Sequence, residues 1–137
     1  MGLMNIAWKL YEDDAVEADD PLGSISIVDA NGGKIIQEAT YLDSWFEALL
    51  HGVRALRAGE EESIEMVEEP DPLEFSVEGP RIRLTHYQTT VELDMIEAIE
   101  EIRKQAQRFL VRMQTLDGWE ANPALLEIER ELALSSS

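Results

Sequence analysis

The segment at residues 40–59 constrains the fold more than any other part of the chain. Its apolar side chains recur at steps of three and four, so they lie on one face of an α-helix. Thr40 and Asp43 have the spacing of a capping box, and Gly59 supplies a left-handed position after the helix. Such a helix needs a partner surface, and we expect the rest of the chain to supply a sheet. The predicted buried positions are Leu42, Trp45, Phe46, Leu49, Leu50, Val53 and Leu56, and the predicted solvent-facing positions are Asp43, Glu47, His51, Arg54 and Ala58.

Alternation of apolar and polar residues predicts seven β-strands. Asp29 to Gly33 reads Asp-Ala-Asn-Gly-Gly, which favours a tight hairpin turn because Asn-Gly and Gly-Gly supply positive φ angles. The last four strands are joined by short turns and therefore form an antiparallel meander. The strands are expected at Leu3–Tyr11, at Ser24–Val28, at Lys34–Ala39, around Ile64 and Met66, at Leu73–Glu78, at Arg81–Tyr87 and around Val91 and Leu93.

Two further helices complete the predicted architecture. Asp94 is the expected N-cap of a long helix whose acidic residues come early and whose basic residues come late, in agreement with the helix dipole. Asn122 and Pro123 start a short last helix. The order βββαββββαα predicts an α+β fold, a mostly antiparallel sheet with two long helices on one face. We expect one domain at residues 1–134 and a frayed tail at 135–137. The apolar stripes are Ile96, Ile99, Ile102, Ala106, Phe109, Leu110 and Met113 in the long helix and Leu125, Leu126, Ile128 and Leu132 in the last one.

The charge of the chain is strongly negative, with 29 acidic against 11 basic residues and a net charge of −18. Thirteen of these acids lie in two runs, residues 11–20 and 60–71, which contain no Lys or Arg. A negative field of this strength repels nucleic acid and anionic membranes and attracts basic proteins. The alternative interpretation is that the acids only keep the protein soluble. The candidate partner-binding residues are Asp13, Asp14, Asp19, Asp20, Glu60, Glu61, Glu62 and, in the loop between the last two helices, Trp119.

Trp119 lies outside any apolar stripe, and two interpretations remain open. It either fills the junction of the last two helices or contacts a partner.

No motif predicts an enzyme, a metal site or a cofactor. The chain has no cysteine and only two histidines, and we expect neither His51 nor His86 to have a local partner at metal-ligand spacing. The Asp29–Gly33 segment fails the calcium-loop pattern, because Lys34 stands where an EF-hand needs glycine. Nucleophile-elbow and phosphate-binding motifs are also missing from the sequence. His86 shares the strand phase of Ile82, so it is expected at the core or its edge.

The expected location is the cytoplasm, because no apolar run is long enough for a membrane span and the N-terminus lacks the features of a secretory signal. In size and composition the chain is similar to small acidic bacterial α+β proteins, which include toxin-neutralising immunity proteins; the resemblance involves no motif and assigns no residue.

The leading hypothesis is a non-enzymatic, inhibitor-like domain that binds a basic protein partner. One alternative is a homo-oligomeric assembly protein that pairs through a sheet edge or through its apolar last helix. Another is an acidic mimic of nucleic acid.

Overall fold

The computed structural model describes residues 4–12, 16–66 and 69–135, and it has the predicted α+β class and element order. Seven strands and three helices follow one another as the hydrophobic pattern predicts, and the strand ends differ from their predicted positions by at most two residues. The strands are β1 (Asn5–Leu10), β2 (Leu22–Val28), β3 (Lys34–Tyr41), β4 (Glu62–Ile64), β5 (Leu73–Glu78), β6 (Arg81–His86) and β7 (Thr89–Asp94). The helices are α1 (Leu42–Arg57), α2 (Met95–Met113) and α3 (Pro123–Ser135), with a 3₁₀ turn at Trp119–Ala121 between α2 and α3.

The strands form two antiparallel sheets where the sequence predicted one. The first sheet has the order β1-β2-β3, and the second is the predicted meander, β4-β5-β6-β7. The sheets approach each other at β3 and β7. There the carboxylate of Asp29, in the β2–β3 turn, accepts a hydrogen bond from the backbone N–H of Glu92 in β7, over 3.0 Å.

The core lies between the sheets and the helices, and α1 is at its centre. All seven predicted apolar positions of α1 are buried. Phe46 stacks on Phe109 of α2 with ring centroids 5.0 Å apart, and Trp8 of β1 meets both rings edge-on. The indole N–H of Trp8 donates to Gln105 of α2. These contacts attach α2 to the first sheet. Among the described residues, none of the helices has both the length and the apolar character needed to cross a membrane.

Two expected core residues are exposed. Ile96 of α2 is 70 % exposed, and Leu126 of α3 is 42 % exposed. Ile96 lies six residues before Ile102, so at 100° per residue its side chain is about 120° away from the buried direction of α2. The buried face runs instead through Ala98, Ile102 and Gln105. The apolar face predicted from three- and four-residue steps was therefore wider than the face that is buried in each helix.

The capping prediction for α1 is wrong, whereas those for α2 and α3 are confirmed. The N-cap of α1 is Tyr41, without a side-chain cap, because the hydroxyl of Thr40 instead accepts from the indole of Trp45 over 2.9 Å and donates to Glu69. Asp94 accepts from the N–H of Glu97. Asn122 accepts from the N–H of Ala124 over 2.9 Å. Gly59 has the predicted positive φ, 75°.

The first position of the predicted first strand, residue 3, lies outside the described residues, as do residues 136–137 of the predicted tail. The remaining tail position, residue 135, is the last residue of α3.

Candidate functional site

The last two residues of the first acidic run, Asp19 and Asp20, lie at the N-terminal end of α1. Asp19 and Asp20 are exposed and border a cavity of about 410 Å³ together with Glu47 of α1 and Pro123 of α3. The loop is held there because Leu42 at the start of α1 donates its backbone N–H to the carbonyl of Pro21, over 3.0 Å. Asp13 and Asp14, the other candidates in this run, lie outside the described residues.

The opening residues of the second acidic run, Glu60 to Glu62, lie at the opposite end of α1, whereas Glu69 of the same run accepts a hydrogen bond from Thr40 just before the helix begins. Glu60, Glu61 and Glu62 are exposed and follow the helix directly. Glu60 and Glu62 border a cavity of about 630 Å³ that His51 and Glu127 also line. The helix exit is fixed by the backbone N–H of Glu60, which donates to the carbonyl of Ala55 over 2.9 Å. Asp19 and Asp20 therefore do not share one rim with Glu60 to Glu62, since the 16 residues of α1 separate the two groups by about 24 Å.

The two cavities adjoin along the junction of α1 and α3. Glu47 lines the first cavity and Glu127 lines the second, and their ligand atoms lie within 4.8 Å of each other. We refer to the surface formed by the residues lining these two cavities as the α1–α3 groove. Eight of its side chains are acidic and two are basic.

The basic residues of the groove, Arg54 and Arg130, are both engaged with carboxylates of α3. Arg54 donates from Nε to Glu131 over 3.1 Å, and Arg130 donates from Nε to Glu127 over 2.8 Å. Glu131 is only 4 % exposed, so the guanidinium of Arg54 neutralises a carboxylate that is buried in the protein. Both arginines are paired with carboxylates, and they are outnumbered by the eight acidic side chains of the lining. The net charge of the groove is therefore negative.

Asp43 was predicted to face solvent, and this prediction is wrong. It is 8 % exposed, because the start of α3 packs over the first turn of α1. The amide of Asn122 donates to Asp43 over 2.9 Å, and the backbone N–H of Ser44 donates over 2.9 Å. Burial raises the pKa of Asp43 above its ordinary value, and these two hydrogen bonds offset part of the rise. Its negative charge is therefore shielded from any partner in the groove.

At the middle of the groove, Glu47, His51 and Glu127 converge. No ligand-spaced partner was predicted for His51, but each of the three residues offers one ligand atom within 4.8 Å of the other two. His51 Nε2 is 3.9 Å from the Oε1 of Glu127. Burial raises the pKa of Glu47, and the nearby carboxylate of Glu127 raises it further against the opposing effect of His51. The spacing of Glu47 and His51 was visible in the sequence, whereas Glu127 carried no local signal because it comes from a distant helix.

No protein-family model, curated protein or solved structure matches this chain. The geometry of the site is therefore the basis for assigning a function.

Trp119 and His86 lie away from the groove lining. Trp119 is partly buried and packs against the hydrophobic core. His86 is buried, with 7 % exposure, and its ring meets the indole of Trp45 at a centroid distance of 4.9 Å. The Nε2 atom of His86 has no hydrogen-bond partner among the described residues. Both residues thus pack against the hydrophobic core.

Proposed function

We propose that this protein is a non-enzymatic binding domain whose α1–α3 groove receives a basic protein surface. The observation that carries the proposal is the position of Asp19 and Asp20 at one end of the groove and of Glu60 and Glu62 at the other. A matching partner presents basic side chains over a length of about 24 Å, the length of α1. We favour inhibition of the partner, because a partner bound in the groove would have its basic residues covered by this protein and closed to other molecules.

Electrostatics supports an effect on the rate of association. The net charge of −18 attracts a basic protein before contact, and a groove lined mainly by acidic side chains focuses this field. Charges at the rim of an interface act mainly on the association rate and its salt dependence. We therefore expect fast association that slows as salt is added.

The partner is sought by affinity capture from a lysate of the source cells, eluted with rising salt, and is then purified. Its association rate is measured at about 0.1 M and about 1 M NaCl, between which the Debye length falls from about 10 Å to about 3 Å. The groove variants are Asp19→Asn with Asp20→Asn at one end and Glu60→Gln with Glu62→Gln at the other. Glu97→Gln with Glu100→Gln on α2 is the matched control, because it removes the same charge outside the groove.

Each groove variant is expected to slow association at low salt and to equal the wild type at high salt. The α2 control should have a clearly smaller effect. Association that is independent of salt, or equal losses in the groove variants and the control, would exclude the groove as the binding surface.

A second candidate is a homo-oligomer that pairs through α3. Pairing through a sheet edge has little support, because the N–H of Ile6 in β1 donates to Glu101 of α2 and β4 has only three residues. The observation that favours α3 is the exposure of Leu126 and Leu134, 42 % and 56 %. Light scattering over a range of concentrations tests this candidate, since a mass that stays at that of one chain excludes it.

A further inference from the structure

Glu47, His51 and Glu127 at the middle of the groove form a cluster that the fold holds in place. Glu47 and His51 lie one helical turn apart and therefore project from the same face of α1, and Glu127 meets them from α3. The ligand atoms of all three lie within 4.8 Å of one another. The side chain of His51 is 34 % exposed and that of Glu127 is 24 % exposed. Two packed helices thus hold the donor atoms together at a site that ions from solvent can reach.

The chemistry of these donors is that of a divalent transition-metal site. An imidazole nitrogen and carboxylate oxygens bind Zn²⁺ at about 2.0–2.2 Å, and ligands at such distances from a tetrahedral ion lie about 3.4 Å apart. The 4.8 Å limit on the present donor–donor distances exceeds this value by about 1.4 Å, so small movements of the flexible carboxylates bring the donors to bonding distance. Imidazole disfavours Ca²⁺ and Mg²⁺, which take oxygen ligands.

The electrostatics of the cluster also favours a cation. Two carboxylates at this separation repel each other, and an ion between them removes the repulsion. Arg130 balances Glu127, to which it donates over 2.8 Å, whereas Glu47 has no ion pair with a cation of Lys or Arg in the described part of the chain. The side chain of Arg130 is 57 % exposed, and exposed ion pairs of this kind are weak. Arg130 can therefore release Glu127 to a metal ion.

We propose that Glu47, His51 and Glu127 bind one divalent transition-metal ion, of which Zn²⁺ is the representative. Three protein ligands leave a fourth position of the ion for water, on the side of the cavity that His51 and Glu127 line. The site belongs to the free protein, so it does not depend on a protein partner in the groove.

Calorimetric titration of the full chain with Zn²⁺ tests the proposal. We expect one equivalent to bind and each of Glu47→Gln, His51→Gln and Glu127→Gln to weaken binding by about tenfold or more. Glu129→Gln is the matched control, because it removes the same charge from an exposed position of α3 and should leave the affinity unchanged. Arg130→Gln removes the competitor for Glu127 and should tighten binding by about two- to fivefold.

A second measurement on the wild-type chain does not depend on how the variants fold. The chain has only two histidines, so long-range ¹H–¹⁵N spectra of the imidazole rings resolve both during a Zn²⁺ titration. The proposal requires the signals of His51 to shift and those of buried His86 to stay in place. A shift at His86 alone, equal Zn²⁺ affinity in the wild type and Glu47→Gln, or no binding at millimolar Zn²⁺ would overturn it.

Discussion

The side-chain amide of Asn122 at the start of α3 donates to the carboxylate of Asp43 in the first turn of α1, over 2.9 Å. The same amide group donates to the backbone carbonyl of Ala18 over 2.8 Å, and its oxygen caps α3 through the N–H of Ala124. One buried side chain therefore connects the first acidic loop, α1 and α3, which are the elements that form one end of the α1–α3 groove.

Asn122→Ala should lower the free energy of unfolding by about 2–4 kcal/mol. About 1 kcal/mol comes from the lost helix cap, and the remainder comes from the buried acceptors on Asp43 and Ala18 that lose their donor. Urea denaturation followed by circular dichroism measures the change. Asn5→Ala, at an exposed position of β1, is the control and should cost less than about 0.5 kcal/mol. Equal losses in both variants would contradict the role of Asn122.

The raised pKa of Asp43 predicts a pH dependence of stability. Burial raises this pKa above the ordinary value of 3.8, so above that pH the folded state binds more protons than the unfolded state. The contribution of Asp43 to stability is therefore largest below its ordinary pKa and is lost as the pH rises through its folded pKa. Glu47, whose pKa burial also raises, acts in the same direction.

Asp43→Asn removes the titrating group. The free energy of unfolding of the wild type minus that of the variant should therefore fall as the pH rises from about 4 toward 7. The measurement is a series of urea denaturations across this range, together with a ¹³C titration of the Asp43 carboxyl group. A difference that stays flat with pH, or a carboxyl group that titrates below 3.8, would contradict the prediction.

Asp29 should show the opposite sign. Burial acts to raise its pKa, but the backbone N–H groups of Glu92, Gly33 and Asn31 donate to the carboxylate and lower it overall. A lowered folded pKa gives stability that is present above the ordinary pKa and lost as the pH falls through the folded value. The wild type minus Asp29→Asn difference should thus shrink on acidification. A difference that grows on acidification would show that burial dominates at this site.

Gly52→Ala should destabilise the protein although alanine is the better helix former. A Cβ atom at this position would lie 2.1 Å from the ring of Phe75 in β5, so α1 and the second sheet would have to separate. We expect a net loss of about 1–2 kcal/mol, after the gain of about 1 kcal/mol from helix propensity. In a Phe75→Leu background the same substitution should cost less. An unchanged cost in that background would show that Phe75 does not limit the approach.

Periodic patterns within one element were sufficient to predict most of the fold. The seven apolar positions of α1 are all buried, because an apolar face of that length is stable only when it packs against a hydrophobic core. The Asp29–Gly33 turn was also predicted, since its conformation depends on local φ preferences. The prediction that Ile96 is buried was wrong, because the pattern gives only the spacing along the helix, whereas burial depends on which side of α2 meets the first sheet.

The composition and local periodicity of this chain determined its α+β class, its element order and its negative field. Only the tertiary structure decided where the charged side chains lie. It placed Asp19 and Asp20 at the opposite end of α1 from Glu60 to Glu62, buried Asp43 beneath Asn122 and brought Glu127 to His51. These relationships depend on the packing of α3 against α1, and contacts between helices so distant in the chain leave no signal in the spacing of residues within either one.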